Sequence, residues 1–348
     1  YMDTTVNITV TLTDRDTPTV AANAITVTYG GSAVSADKIT GSATFNGNTV
    51  DGTWSWKDGQ TLTNVSDSGV KTVVFTPTDA VNYKPVETTA ELTIEPIAVT
   101  VTGVIAPGKV YDGQNRLDVD AVDCSKAVLK GVLNEDSVSV QIDPARASSC
   151  QYSSKNAGEV TAYLILKLTG ADAGNYRLDK AELRIPAKIT PKDVTITGMT
   201  AENKTYDGST TAKNPSANIT GVIGSDDVRL TIGEASFADK NVGTGKTVTF
   251  SQFSLTGTDA ANYNLTTTEP VTATANITAK KLESFSITEK ETKYYDGTNK
   301  LNATKVTVFN TVRGDDVYAV VQEAYFTGTD FSASDTAKQY KVMITLGG

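Results

Sequence analysis

No histidine occurs anywhere in this chain of 348 residues. Histidine is the commonest general base near neutral pH and the commonest transition-metal ligand. Its absence removes Ser-His-Asp and Cys-His nucleophilic sites and histidine-based zinc sites, so the expectation is a non-enzyme with no catalytic residue, metal or cofactor. Cysteine is nearly as scarce: Cys124 and Cys150 are the only two, with no CxxC pair. A metal–thiolate site is therefore not expected. One Cys124–Cys150 disulfide is expected instead, stabilising by about 3 kcal/mol and suiting an oxidising, extracytoplasmic compartment. Two buried thiols are the alternative. Positive charge is also short, with 31 Lys and Arg against 40 Asp and Glu and a net charge of −9. That argues against nucleic acid and anionic membrane surfaces as partners. Long apolar runs are missing too. Ala162-Tyr163-Leu164-Ile165-Leu166 is cut off by Lys167, so no direct membrane insertion is expected. The chain starts at Tyr1 and reads as a piece of a larger, processed protein.

What the chain has is repetition. Lys109-Val110-Tyr111-Asp112-Gly113 returns as Lys204-Thr205-Tyr206-Asp207-Gly208 and as Lys293-Tyr294-Tyr295-Asp296-Gly297. A second motif keeps step. Leu168-Thr169-Gly170-Ala171-Asp172-Ala173-Gly174-Asn175-Tyr176 returns as Leu255-Thr256-Gly257-Thr258-Asp259-Ala260-Ala261-Asn262-Tyr263. The period is the size of a domain, not of a solenoid repeat. The function must then be one that copies of a module can serve.

Strand patterning dominates. Val99-Thr100-Val101-Thr102, Val194-Thr195-Ile196-Thr197 and Phe285-Ser286-Ile287-Thr288 alternate apolar and polar residues with period two, as half-buried antiparallel strands do. No convincing helical stripe is present; the best candidate, Asp120 to Leu133, is weak. The expected fold is all-β, an elongated tandem array of small immunoglobulin-like β-sandwiches, with helix-poor β-grasp repeats as the alternative. The expected divisions are residues 1–14 as the closing strand of a preceding repeat, then 15–96, 97–191, 192–280 and a C-terminally truncated 281–348. The joins at Pro96 and Pro191 have almost no linker, which predicts a stiff rod. Strand Val6 to Thr13 resembles a closing strand, which allows a monomer or weak head-to-tail association through strand donation.

The motif residues read first as structure. In Tyr-Asp-Gly, Asp bonds the backbone two residues on, Gly supplies positive φ, and Tyr anchors the turn to the core. Asn82-Tyr83, Asn175-Tyr176 and Asn262-Tyr263 read as tyrosine corners at strand entries, with hydroxyls returned to upstream backbone. The acidic doublets Glu135-Asp136, Asp226-Asp227 and Asp315-Asp316 read as solvated turns, with calcium binding as the functional alternative. Trp54 and Trp56 lie two apart and share a strand face. They are core filling, or else a ligand platform for a glycan. Lys109 and Lys204 with Asn175 and Asn262 raise the question of isopeptide bonds; Val27 stands where the first unit would need its lysine.

Lys-x-Tyr-Asp-Gly, Gly224-Ser225-Asp226-Asp227-Val228, Asp239-Lys240-Asn241-Val242-Gly243 and the Asn-Tyr block resemble YDG-type repeats of bacterial surface and adhesin-like proteins, over residues 98–348. Thr28-Tyr29-Gly30-Gly31, Gly52-Thr53-Trp54-Ser55-Trp56 and Phe75-Thr76-Pro77-Thr78-Asp79 resemble the related MBG repeats, at about 18–96. The resemblance implies a secreted or wall-attached protein with the repeats as stalk, displaying a distal binding domain, and supplies no catalytic residues. The other reading is that the repeats themselves bind a host glycan or protein.

Overall fold

The computed structural model describes residues 14–133, 135–267, 270–287, 297–300, 306–326 and 340–348. Among them the longest helical element is a six-residue 3-10 segment, Pro144–Ser149. The chain is all-β. A β-grasp sheet needs a helix packed across it, so that alternative drops out. Asp120 to Leu133 gives only a 3-10 turn, Val119–Ala121, and a short strand, Val128–Lys130.

Two compact units divide the chain, Tyr1–Thr190 and Pro191–Gly348. The first holds two modules. In the earlier module Thr19–Ala22, Gly41–Phe45 and Asn48–Thr49 form one sheet. Ile25–Thr28, Val86–Glu95, Gly69–Pro77 and Gly52–Trp56 follow one another across the other. In the later module Val128–Lys130, Ile97–Thr102 and Tyr176–Leu178 face Lys109–Val110, Glu182–Thr190, Gly158–Thr169 and Ser139–Ile142. The second unit repeats this order. Lys213–Thr220, Lys192–Glu202 and Tyr263–Leu265 form its small sheet. Lys204–Thr205, Val271–Thr278, Gly243–Thr256 and Arg229–Phe237 form its large one. The last repeat contributes two pairs, Phe285–Ile287 with Val306–Val308 and Tyr318–Phe326 with Tyr340–Gly347.

Alternation sets the faces. Along Val86–Glu95, Ala90, Leu92 and Ile94 are buried and their neighbours exposed. The two sheets close over a shared core. In the second unit Met199 and Ala201 of the small sheet pack against Phe237, Val248, Phe250 and Ile277 of the large one. Completely burying a side chain such as Phe250 contributes about 2–3 kcal/mol.

The modules place equivalent residues at matching points of their sheets. Tyr176 and Tyr263 pair in parallel with the first strand of their module, at Ile97 and Lys192, and Tyr83 makes an isolated parallel bridge to Asp16, just ahead of Thr19–Ala22. Tyr29, Tyr111 and Tyr206 each donate their backbone N–H to the end of the closing strand, at Glu95, Thr190 and Thr278. Val27 pairs with Ile94 where Lys109 and Lys204 pair with Ile189 and Ile277. The sequence alignment of Val27 with those lysines therefore holds in space.

Candidate functional site

The Tyr-Asp-Gly turn carries the chain from one edge of the large sheet to the other. Its local geometry follows from residue type. Asp112 and Asp207 accept the backbone N–H two residues on, from Gln114 and Ser209, each at 2.9 Å. Gly113 and Gly208 hold φ of 78° and 80°, a region other residues resist. Beyond the turn, Thr211 bridges to Ser236, and Ala212 donates to the Ala235 carbonyl, so the chain has reached the strand Arg229–Phe237.

The lysine that opens the motif fills the gap so formed. Lys204 Nζ donates to Asp207 Oδ1 at 2.9 Å, to the Ser209 carbonyl at 2.8 Å, to Ser209 Oγ at 3.1 Å and to the Thr211 carbonyl at 2.9 Å. Its side chain is only 4% exposed, and the Phe237 ring lies below it at 5.6 Å. Lys109, 17% exposed, makes the same set of bonds, with Asp112 at 2.7 Å, the Gln114 carbonyl at 2.7 Å and the Arg116 carbonyl at 3.1 Å. A buried ammonium is tolerated only when its protons are taken up in this way. Asn175 is engaged elsewhere, with Asn64 and Val65, so Lys109 and Asn175 are not an isopeptide pair.

The Lys204 ammonium, with the Ser209 N–H, draws the Asp207 carboxyl down to about 2. Burial opposes the same shift at Asp112, but Lys109 and Gln114 still hold that carboxyl below its usual value. A depressed carboxyl pKa adds stability above the unfolded value and loses it as pH falls through the folded one. We therefore expect wild type to lose more stability between pH 4 and pH 2 than Asp207→Asn, measured by urea unfolding across that range.

A second constellation joins modules within each unit. In the first unit Tyr29 OH donates to Asp136 Oδ2 at 2.9 Å, and Tyr176 OH donates to the same oxygen. Tyr176 OH also accepts the Leu133 N–H at 3.1 Å. The two rings meet edge to face at 5.6 Å. Val65 N–H donates to Asn175 Oδ1 and Asn175 Nδ2 to Asn64 Oδ1, both at 2.9 Å. Gly31 lies so close to Leu133 that an added Cβ would sit 3.1 Å from its Cδ1. One hydrophobic core runs through the join, from Leu92 and Ile94 to Val99 and Tyr176. Burial and the Asp136 carboxylate push the Tyr176 hydroxyl up to about 12 and raise that of Tyr29.

The second unit rebuilds the joint with the same positions. Tyr206 OH donates to Asp315 Oδ1 at 2.8 Å, and Lys240 Nζ adds a contact at 3.3 Å. The glycine two residues after the tyrosine again meets the apolar residue three before the aspartate. A Cβ on Gly208 would sit 2.5 Å from Val312 Cγ1. The internal tyrosine repeats as well: Tyr263 OH donates to Asp226 Oδ2 at 2.6 Å and accepts the Ile223 N–H at 2.9 Å.

Comparison with known proteins fits this periodicity. A family model for the YDG domain matches residues 95–183 and 190–271. These two segments are YDG domains. No curated protein sequence matches the chain. Among solved structures the chain is similar to the Sidekick-1 immunoglobulin domains 1-5, at 12% identity and TM-score 0.25, covering 75% of this chain and 58% of that one. It is also similar to Drosophila N-cadherin EC1-3, at 8% identity and TM-score 0.24, covering 75% and 99%. The three N-terminal domains of the Hoc protein of bacteriophage RB49 match at 12% identity and TM-score 0.20, covering 76% and 99%. TM-scores this low leave the fold to rest on its own sheets and registers.

The YDG domains correct several sequence expectations. The acidic doublets are not solvated turns: their first or second aspartate is the acceptor for tyrosine hydroxyls, and Asp315 is only 16% exposed. Among the described residues no cluster of carboxylates could hold a metal ion. At Tyr176 and Tyr263 the tyrosine corner is a hydroxyl bound to upstream backbone, with its own proton given to the aspartate; the Tyr83 ring instead meets Phe45 edge to face at 5.7 Å. Asn175 and Asn262 are both 4% exposed, whereas Asn82 is exposed and folds back on Asp79. Trp54 and Trp56 share a face, and that face is the core. Trp56 is 8% exposed and donates to the Val34 carbonyl at 2.9 Å; Trp54 packs on Phe75 at 5.1 Å. They form no ligand platform. Tyr295, Asp296 and the strand Val6 to Thr13 lie outside the described residues; Gly297 has the expected positive φ, 71°.

The Cys124–Cys150 disulfide is not formed; both thiols are free. Cys124 starts the turn that leads into Val128–Lys130 of the small sheet. Cys150 ends the Pro144–Ser149 insertion on the large sheet, where its sulfur accepts the Ile165 N–H at 3.3 Å. Titration in denaturant is expected to find two thiols. In the native protein Cys150, 3% exposed, should resist the reagent, and Cys124, its pKa raised by burial and by Asp123, should react slowly.

Proposed function

We propose that this chain is a non-catalytic repeat region that serves as the stalk of an extracellular, surface-attached bacterial protein and displays a distal binding domain. The observation that carries this reading is the joint. The same tyrosine, glycine, apolar residue and aspartate lock consecutive modules in both units. A module-to-module contact repeated in both units suits a job every copy performs alike. Residues 15–96 serve as an MBG-like member of the same series. They share the strand order of the large sheet and the Tyr29 position but hold Val27 and Val50 where YDG domains hold lysine and aspartate. Val50 takes the aspartate's place because Asp51, like Ser137 and Asp227, accepts the N–H that opens the return turn.

The test is protease shaving of intact cells that make the full protein. Peptides from residues 14–267 should be released without lysis. Recovery only after lysis would remove the surface reading.

A further inference from the structure

Force on a stalk enters each module through its first and last strands, and from the first strand it passes to the edge strand that follows it in the chain. In three modules the edge strand that carries the motif lies parallel to the closing strand. Ile25–Thr28 runs along Leu92–Glu95, Lys109–Val110 along Ile189–Thr190, and Lys204–Thr205 along Ile277–Thr278. Parallel neighbours pulled one by its start and the other by its end must slide past each other. Their evenly spaced, slanted hydrogen bonds are then loaded together and not one at a time. The module at 15–96 has four residue pairs in this patch. Each YDG domain has only two, extended by the tyrosine N–H bond.

The lysine makes up the difference. Lys204 stands on the edge strand, yet its ammonium is bonded to the segment 209–211 beyond the turn. That segment is anchored on the opposite edge of the sheet, through the Thr211–Ser236 bridge and the Phe237 N–H to the Thr210 carbonyl. Lys109 ties its edge strand to 114–116 in the same way, and 115–116 is held by Gln151 and Tyr152. The edge strand cannot be drawn out without breaking these bonds or dragging the far edge with it. At 4% exposure, Lys204 has no water to replace its partners one by one as it leaves. A dry, charge-assisted set of bonds must break before it is rehydrated, which raises the unfolding barrier.

We propose that Lys109 and Lys204 are force latches, which resist extraction of the edge strand when the YDG domain is pulled by its ends. This inference rests on the stalk reading. Val27 has no such side chain, and the longer parallel patch of its module takes the load instead.

The full chain, held by its two ends at constant force, tests the latch. Wild type should extend in discrete steps of about 300 Å, the contour length of one module of about 90 residues. Lys204→Met should make one step on the order of a hundredfold faster at the same force, because a buried ammonium and its carbonyl bonds are gone from the barrier. Asp207→Asn, which keeps the turn acceptor and loses only the ion pair, should make it about tenfold faster. A step at the wild-type rate in Lys204→Met overturns the latch, even if denaturant unfolding shows lower stability. If Lys204→Met lacks the step because its module does not fold, Asp207→Asn decides: a faster step supports the latch and an unchanged one overturns it. A wild-type chain that lengthens without discrete steps removes the stalk reading itself, and the latch with it.

Discussion

Gly170→Ala should unfold the first YDG domain at physiological temperature, while Gly174→Ala, four residues on, should leave it within about 0.5 kcal/mol of wild type. Gly170 has φ of +112°, and a Cβ there would sit 2.2 Å from the Ser137 carbonyl oxygen. Neither partner can yield. Ser137 holds the return turn, with its N–H on Asp172 at 2.8 Å and its carbonyl bonded by the Asp172 N–H. Gly257 repeats the arrangement, with φ of +115° and a Cβ position 2.1 Å from the Asp227 carbonyl oxygen. Backbone strain of this kind costs about 1–3 kcal/mol, and the clash adds to it. A total near 4 kcal/mol is a large share of what one small domain has. Gly174 has no neighbour within 4 Å of its added Cβ. Hydrogen exchange of the full chain would read the result. Protection lost across 97–190 in Gly170→Ala alone is expected; equal protection in both variants would show that the turn can move.

Removing Asp136 should have the next largest effect, because it takes the acceptor from two tyrosines at once. Hydrogen bonds to a charged group contribute about 1.5–3 kcal/mol each. Tyr176 keeps the Leu133 N–H, so Asp136→Ala should cost about 3 kcal/mol. For a unit of this size that is a fall in Tm of about 10 °C. Asp136→Asn keeps an acceptor and should lose less than half of that. The tyrosines give a second readout. A tyrosine whose folded pKa is raised adds stability below the unfolded value of 10 and loses it as pH rises through the folded value of about 12. Wild type should therefore lose stability between pH 10 and 12, and Tyr176→Phe should lose less. An alkaline transition of equal size in Tyr176→Phe would mean that the joint does not govern it.

Much of this was legible in the chain. Local chemistry set the strands, because alternating Val and Thr has only one way to bury its apolar face. It also set the Tyr-Asp-Gly turn, since aspartate bonding two residues on and glycine at positive φ are properties of a few adjacent residues. The position of Val27 against Lys109 and Lys204 followed from periodicity alone. The partners of the acidic doublets did not. Asp136 lies 107 residues from Tyr29, and Asp315 lies 109 from Tyr206. Only the stacking of one module's turn on the next brings them together. Their signal was present as a matching period in two motifs, but the sequence cannot say which end of a module faces which. The two cysteines and Trp54 with Trp56 failed for the same reason. Sequence spacing placed Cys124 and Cys150 in one module, but the fold put them on opposite sheets. It placed the indoles on one face, and the closing of two sheets made that face the interior. Spacing fixes which side chains share a strand face; which face is dry is decided when the sheets pack.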